Sequence, residues 1–128
     1  MNIYEDNFCY IKLNDSNIPW LIIYAKEKQK ELSDNIQVSK HIFNLAIFIE
    51  KEMIDFFKPT KINHASFANY LTQAHWHIMA RFSDDGFYPE CMWGKKQSDI
   101  LKDYTKNIDE FCNILKEKLK TFSQTSPQ

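Results

Sequence analysis

The chain has 128 residues, of which 44% are hydrophobic, 15% aromatic and 26% charged, which is ample for one self-folding domain and too short for two separate cores. A formal net charge of -1 and a pI near 6.4 give no general attraction for nucleic acid or an anionic membrane, so any phosphate contact must be local. The three cysteines, Cys9, Cys91 and Cys112, contain no Cys-x-x-Cys pair, a pattern of reducing compartments rather than of a disulfide framework.

Met1 to Asp6 lacks the basic and then apolar order of a signal peptide, and no apolar stretch is long enough to span a bilayer. The expected location is therefore the cytoplasm. Phe8 to Leu13 and Trp20 to Ala25 are aromatic and branched runs separated by the turn-forming cluster Asn14-Asp15-Ser16-Asn17, which predicts two antiparallel strands. Lys26 to Glu31 is a solvated charge run. From about Asp34 the apolar residues Val38, Ile42, Leu45, Ile49, Met53 and Phe56 recur at steps of three and four, the period of an amphipathic helix. Asp34 and Gln37 have capping-box spacing, and Pro59 ends the helix.

Lys61 to Phe67 and Ala74 to Phe82 read as further strands. Leu101, Tyr104, Ile108, Phe111, Leu115 and Leu119 then mark a C-terminal helix over about 98–121, with a frayed tail at 123–128. With only Gly86 and Gly94 available, no Gly-rich phosphate loop can be built, which argues against a P-loop or dinucleotide fold. The expected architecture is α+β, an antiparallel sheet of about five strands with a long central helix and a C-terminal helix, all in one domain.

The densest chemistry lies in Gln73-Ala74-His75-Trp76-His77-Ile78-Met79-Ala80-Arg81. In a strand, Gln73, His75 and His77 share one face while Ala74, Trp76 and Ile78 face the core. With helices on one side of the sheet, the histidine face is expected to be open. Two neighbouring imidazoles suit nucleophilic attack on phosphorus, one attacking while the other binds oxygen. A polar solvent face fits the same alternation. So does a metal site completed by Cys91 or Asp84, although no second pair has ligand spacing. Arg81 could counter phosphate charge or pair with Asp84 or Asp85, and the ion pair is favoured. His41 and His64 read as structural.

The run resembles the signature of the histidine-triad family of nucleotide hydrolases and transferases, in which histidine alternates with apolar residues three times. Here Gln73 stands in place of the first histidine. The continuation Ala80 to Pro89, with Met92-Trp93-Gly94, is similar to a bacterial branch in which glutamine is common there. The resemblance spans roughly Phe8 to Gly94. It implies that His75 attacks the α-phosphate of a nucleotide to form a covalent nucleotidyl-histidine, and that His77 hydrogen-bonds a non-bridging or leaving oxygen. Gln73 would orient the leaving group or the His75 ring through its amide.

By the same resemblance, Asn63, Asn69 and Asn14 contact the nucleotide, Asn14 on the ribose side, and Trp93 packs over the base or against a second subunit. The family's Pro-Gly-His turn is represented by Pro19-Trp20-Leu21, and its loop glycine by Ala68. The implied partners are a purine nucleotide or dinucleoside polyphosphate and a second copy of the chain. The covalent step itself needs no metal or cofactor. Two readings follow: an enzyme acting through His75, or a nucleotide-binding module with weak turnover because Gln73 cannot pass a proton.

Overall fold

Alternation in the strands and 3.6-residue periodicity in the helices produce a sheet with one helix-covered face, in a computed structural model that describes residues 2–122. The strands are β1 (Asn2–Glu5), β2 (Cys9–Leu13), β3 (Trp20–Ala25), β4 (Lys61–Ala65) and β5 (His75–Arg81). The helices are α1 (Ile36–Phe57) and α2 (Ile108–Leu119). All neighbours are antiparallel in the order β1-β2-β3-β5-β4. This is the expected α+β class. The fifth strand, β1, is a short run that sequence patterning does not single out, and the tail at 123–128 lies outside the described residues.

Ile11, Leu21, Ile23, Ile78 and Ala80 fill one sheet face and are fully buried against Ile42, Leu45, Ile49 and Met53 of α1. That apolar burial is the main stabilising term of the fold. Asn35 caps α1 by accepting the Val38 N–H at 3.2 Å. Asp34 does not form the expected box with Gln37; it accepts the Glu31 N–H at 2.9 Å and closes the short 3-10 turn Leu32–Asp34. At the other end Lys58 adopts φ 52° and Pro59 stops the helix.

The C-terminal helix is shorter than the spacing of apolar residues predicts. Tyr104 lies before it because tertiary bonds hold its segment extended: its N–H donates to the Asn17 carbonyl at 2.8 Å, and its ring stacks on Phe82. Asn17 in turn donates to the carbonyls of Asp85 and Lys102. Helical spacing at Tyr104 therefore records its partial burial against Phe82, while Leu101, 42% exposed, crowds Gly86 in its left-handed φ of +97°.

The histidine face is covered rather than open. Its residues pair across strands as Tyr24 with His75, Ile22 with His77, Trp20 with Met79, and Asn63 with Met79. The segment between β5 and α2 folds back over them, leaving Met79 2% and Arg81 1% exposed. Arg81 fastens that cover. Its Nε donates to Asp85 Oδ2 at 2.8 Å and its Nη2 to the Glu90 carbonyl at 2.8 Å.

Candidate functional site

A cavity of about 390 Å³ remains at one end of the covered face, bounded by Tyr24, His75 and His77 of the sheet, the 67–71 loop and Trp93. The two imidazoles meet edge to face with centroids 4.9 Å apart. Both are nearly buried, so each ring must have its nitrogens placed by neighbours.

His75 Nδ1 donates to the backbone carbonyl of Gln73 at 2.7 Å. A carbonyl only accepts, so Nδ1 carries the hydrogen, and Nε2 of the neutral ring holds the free lone pair. His77 is held in the opposite tautomer. Its Nδ1 accepts the indole N–H of Trp20 at 3.0 Å, which leaves the hydrogen on Nε2. Burial, with the neighbouring His75 ring adding to it, pushes the His77 pKa down to about 4, so the ring stays neutral at physiological pH. One imidazole thus offers a lone pair and its neighbour an N–H.

Gln73 contributes through its backbone, contrary to the expectation for its amide. It precedes β5, and its Nε2 donates to the carbonyls of Ala25 at 2.6 Å and Glu27 at 2.7 Å, while Oε1 accepts the Gln29 N–H at 3.2 Å. Those bonds occupy the amide with the chain that follows β3. They also hold in place the carbonyl that orients His75.

Of the expected nucleotide contacts, Asn69 borders the cavity. Asn63 and Asn14 do not. Asn63 shares the histidine face one pair beyond His77, and its Oδ1 accepts from Arg81 Nη1 at 2.8 Å. Asn14 follows β2, with its N–H donating to the Trp20 carbonyl at 2.8 Å. Trp93 packs edge-on against His77, Trp20 and Phe67.

Among the described residues, no charged side chain lines the cavity. Arg81 forms the favoured ion pair with Asp85, both being almost completely buried. Burial alone would raise the Asp85 carboxyl, but the Arg81 guanidinium and the N–H groups of Phe87, Phe82 and Tyr88 outweigh it and hold it below the ordinary carboxylate value. Neither Asp84 nor Cys91 completes a metal set with the histidines. Asp84 bonds Tyr104 and Lys102, and Cys91 lies exposed outside the cavity lining.

His41 and His64 have structural partners, Asp6 at 2.6 Å and Glu50 at 2.8 Å. Among the described residues, Asp6, Cys9 and His41 also bring three potential ligand atoms together. The Asp6 carboxylate there accepts from the Phe8 and Cys9 N–H groups and the Tyr4 hydroxyl. Burial pushes the Cys9 thiol far above its ordinary value, and the Asp6–His41 contact ties the chain before β2 to α1.

Trp20 and Tyr24 are not singled out from sequence as site residues, nor are Phe67, Tyr70 and Leu71 of the bordering loop. Trp20 and Tyr24 stand an even number of residues apart on β3, so a shared face was readable. The register that sets them against Met79 and His75 was not.

No protein-family model and no curated protein matches the chain. Among solved structures, it is similar to a histidine triad protein of Bradyrhizobium japonicum, with TM-score 0.75 and 23% identity over 92% of this chain and 89% of that one. A histidine triad protein of Marinobacter aquaeolei matches with TM-score 0.74 and 21% identity, covering 93% and 90%. One from Sinorhizobium meliloti gives TM-score 0.73 and 20% identity, covering 91% and 87%.

Proposed function

The chain has the histidine triad fold, and we propose that it uses that fold as a nucleotide phosphohydrolase or nucleotidyl transferase. The substrate is a purine nucleotide derivative, with dinucleoside polyphosphates included in the class, and the reaction passes through a nucleotidyl group on His75. The observation that carries this reading is the opposed tautomers of His75 and His77 at one cavity. His75 Nε2 attacks the α-phosphorus and the bond to the leaving group breaks. His77 Nε2–H donates to a non-bridging oxygen as charge builds there. Water or another acceptor then attacks phosphorus and releases His75. The backbone carbonyl of Gln73 keeps the His75 ring aimed throughout, a task that needs no titratable group at position 73.

A binding module with weak turnover is favoured by one specific feature. Ala68 occupies φ +54° in the loop bordering the cavity, a strained conformation for a residue with a Cβ. Calorimetry with adenosine monophosphate, paired with turnover of adenosine phosphoanhydrides and phosphoramidates, separates the readings. Turnover that disappears in His75→Ala supports the enzyme. Binding with no turnover of any substrate supports the module.

The proposed assembly is a homodimer. Phe43, Ile47 and Ile54 are 48%, 44% and 45% exposed on α1, close to the edge strand β4, and together they offer an apolar face and an unpaired strand edge. Sedimentation equilibrium tests it. Three free cysteines and no described helix long and apolar enough to cross a membrane support a cytoplasmic location.

A further inference from the structure

We infer that Tyr24 is the proton donor to the leaving group, a task that the amide at position 73 cannot perform. This rests on the nucleotidyl-transfer reading and adds a residue to it. Tyr24 and His75 are direct cross-strand partners on β3 and β5. Their rings lie 5.2 Å apart at 42°, and both border the cavity.

Side chains on neighbouring strands leave a sheet side by side. The phenol carries its hydroxyl farther from its own Cα than the imidazole carries Nε2. An in-line displacement puts phosphorus outward of Nε2 and the departing atom outward again. The longer side chain beside His75, bordering the same cavity, is therefore the one suited to meet the departing atom there. It has no hydrogen-bond partner within the described residues. On its far side the ring stacks on Tyr10 at 5.2 Å and 19°, which fixes its plane. Burial, with Tyr10 adding to it, raises the Tyr24 pKa, so the phenol remains protonated at neutral pH.

The step balances. The His75 Nε2 lone pair forms the new bond to phosphorus as the bond from phosphorus to the leaving nitrogen or oxygen breaks. The Tyr24 proton passes to the departing atom, leaving an imidazolium nucleotide and a phenolate. In the second step water attacks phosphorus, its proton returns to Tyr24, and the bond to Nε2 breaks to regenerate the neutral ring. An alkylamine leaving group is far more basic than a phenolate and requires this proton. A p-nitrophenolate leaves without it.

The test uses the full chain in excess over two adenosine monophosphate derivatives, an alkyl phosphoramidate and a p-nitrophenyl ester, and follows formation of the His75 adduct. In Tyr24→Phe the loss on the phosphoramidate is expected to exceed the loss on the ester by about 10²-fold. Tyr10→Phe removes the stacked hydroxyl without removing the donor and should change both substrates equally. Equal losses on both substrates in Tyr24→Phe, or none, overturn the assignment. A wild-type chain that forms no adduct with either substrate overturns the nucleotidyl-transfer reading itself, and Tyr24 with it.

Discussion

The indole N–H of Trp20 points at Nδ1 of His77 across 3.0 Å, and an indole can only donate. This contact decides which nitrogen of His77 faces the cavity with a hydrogen. Replacing Trp20 by Phe keeps a ring against Trp93 but frees Nδ1 to take the proton. The expected result is a fall in kcat of about tenfold, the worth of one buried hydrogen bond, with little change in KM. Nitrogen NMR of His77 should show the Nε2–H tautomer in the wild type and a mixture in the variant.

The same ring makes the fold sensitive to acid. His77 titrates near 4 when folded, against an ordinary value of 6.5. Between those values the unfolded chain binds the proton more readily. Its contribution therefore falls as pH drops from about 6.5 toward 4 and is level below that, a loss on the order of 3 kcal/mol. Urea denaturation across this range should show a shallower slope for His77→Gln than for the wild type.

Asp85 joins the covering segment to the sheet through Arg81, with both side chains almost completely buried. It also accepts the N–H groups of Phe82, Phe87 and Tyr88. Asp85→Ala leaves a buried guanidinium without its partner and should cost about 3–5 kcal/mol by urea denaturation. Adding Arg81→Met should restore a large part of that loss, because an apolar side chain leaves no orphaned charge.

Gln73→His restores the residue type of the triad signature, yet it should not raise turnover. The amide's work is to hold the carbonyls of Ala25 and Glu27 and the N–H of Gln29. Losing those bonds should lower stability by about 1–3 kcal/mol. Steady-state rates and thermal denaturation of the one variant check both parts.

These contacts mark what the sequence makes legible. Alternation within β3 and β5 and the apolar steps of α1 are local, so their strands, faces and helix could be read directly, with Trp20–Ala25 matching to the residue. The Arg81–Asp85 pair was legible because its members are four residues apart. Covering of the histidine face was not, since it depends on where the segment after β5 returns. Gln73 misled for a related reason: its residue type suggested site chemistry, while its partners Ala25, Glu27 and Gln29 lie more than forty positions away. Tyr104 carries helical spacing because its ring packs on Phe82 and is partly buried, and tertiary bonds decide its conformation.

The proposed reaction turns on a bond between His75 Nε2 and phosphorus. Rapid acid-free quenching of the reaction with an adenosine phosphoramidate, followed by peptide mass mapping, tests it most directly. An adenylyl group is expected on His75 in the wild type and none in His75→Ala, which should also lose turnover. An adduct that persists in His75→Ala, or turnover that is equal in the two proteins, would contradict it.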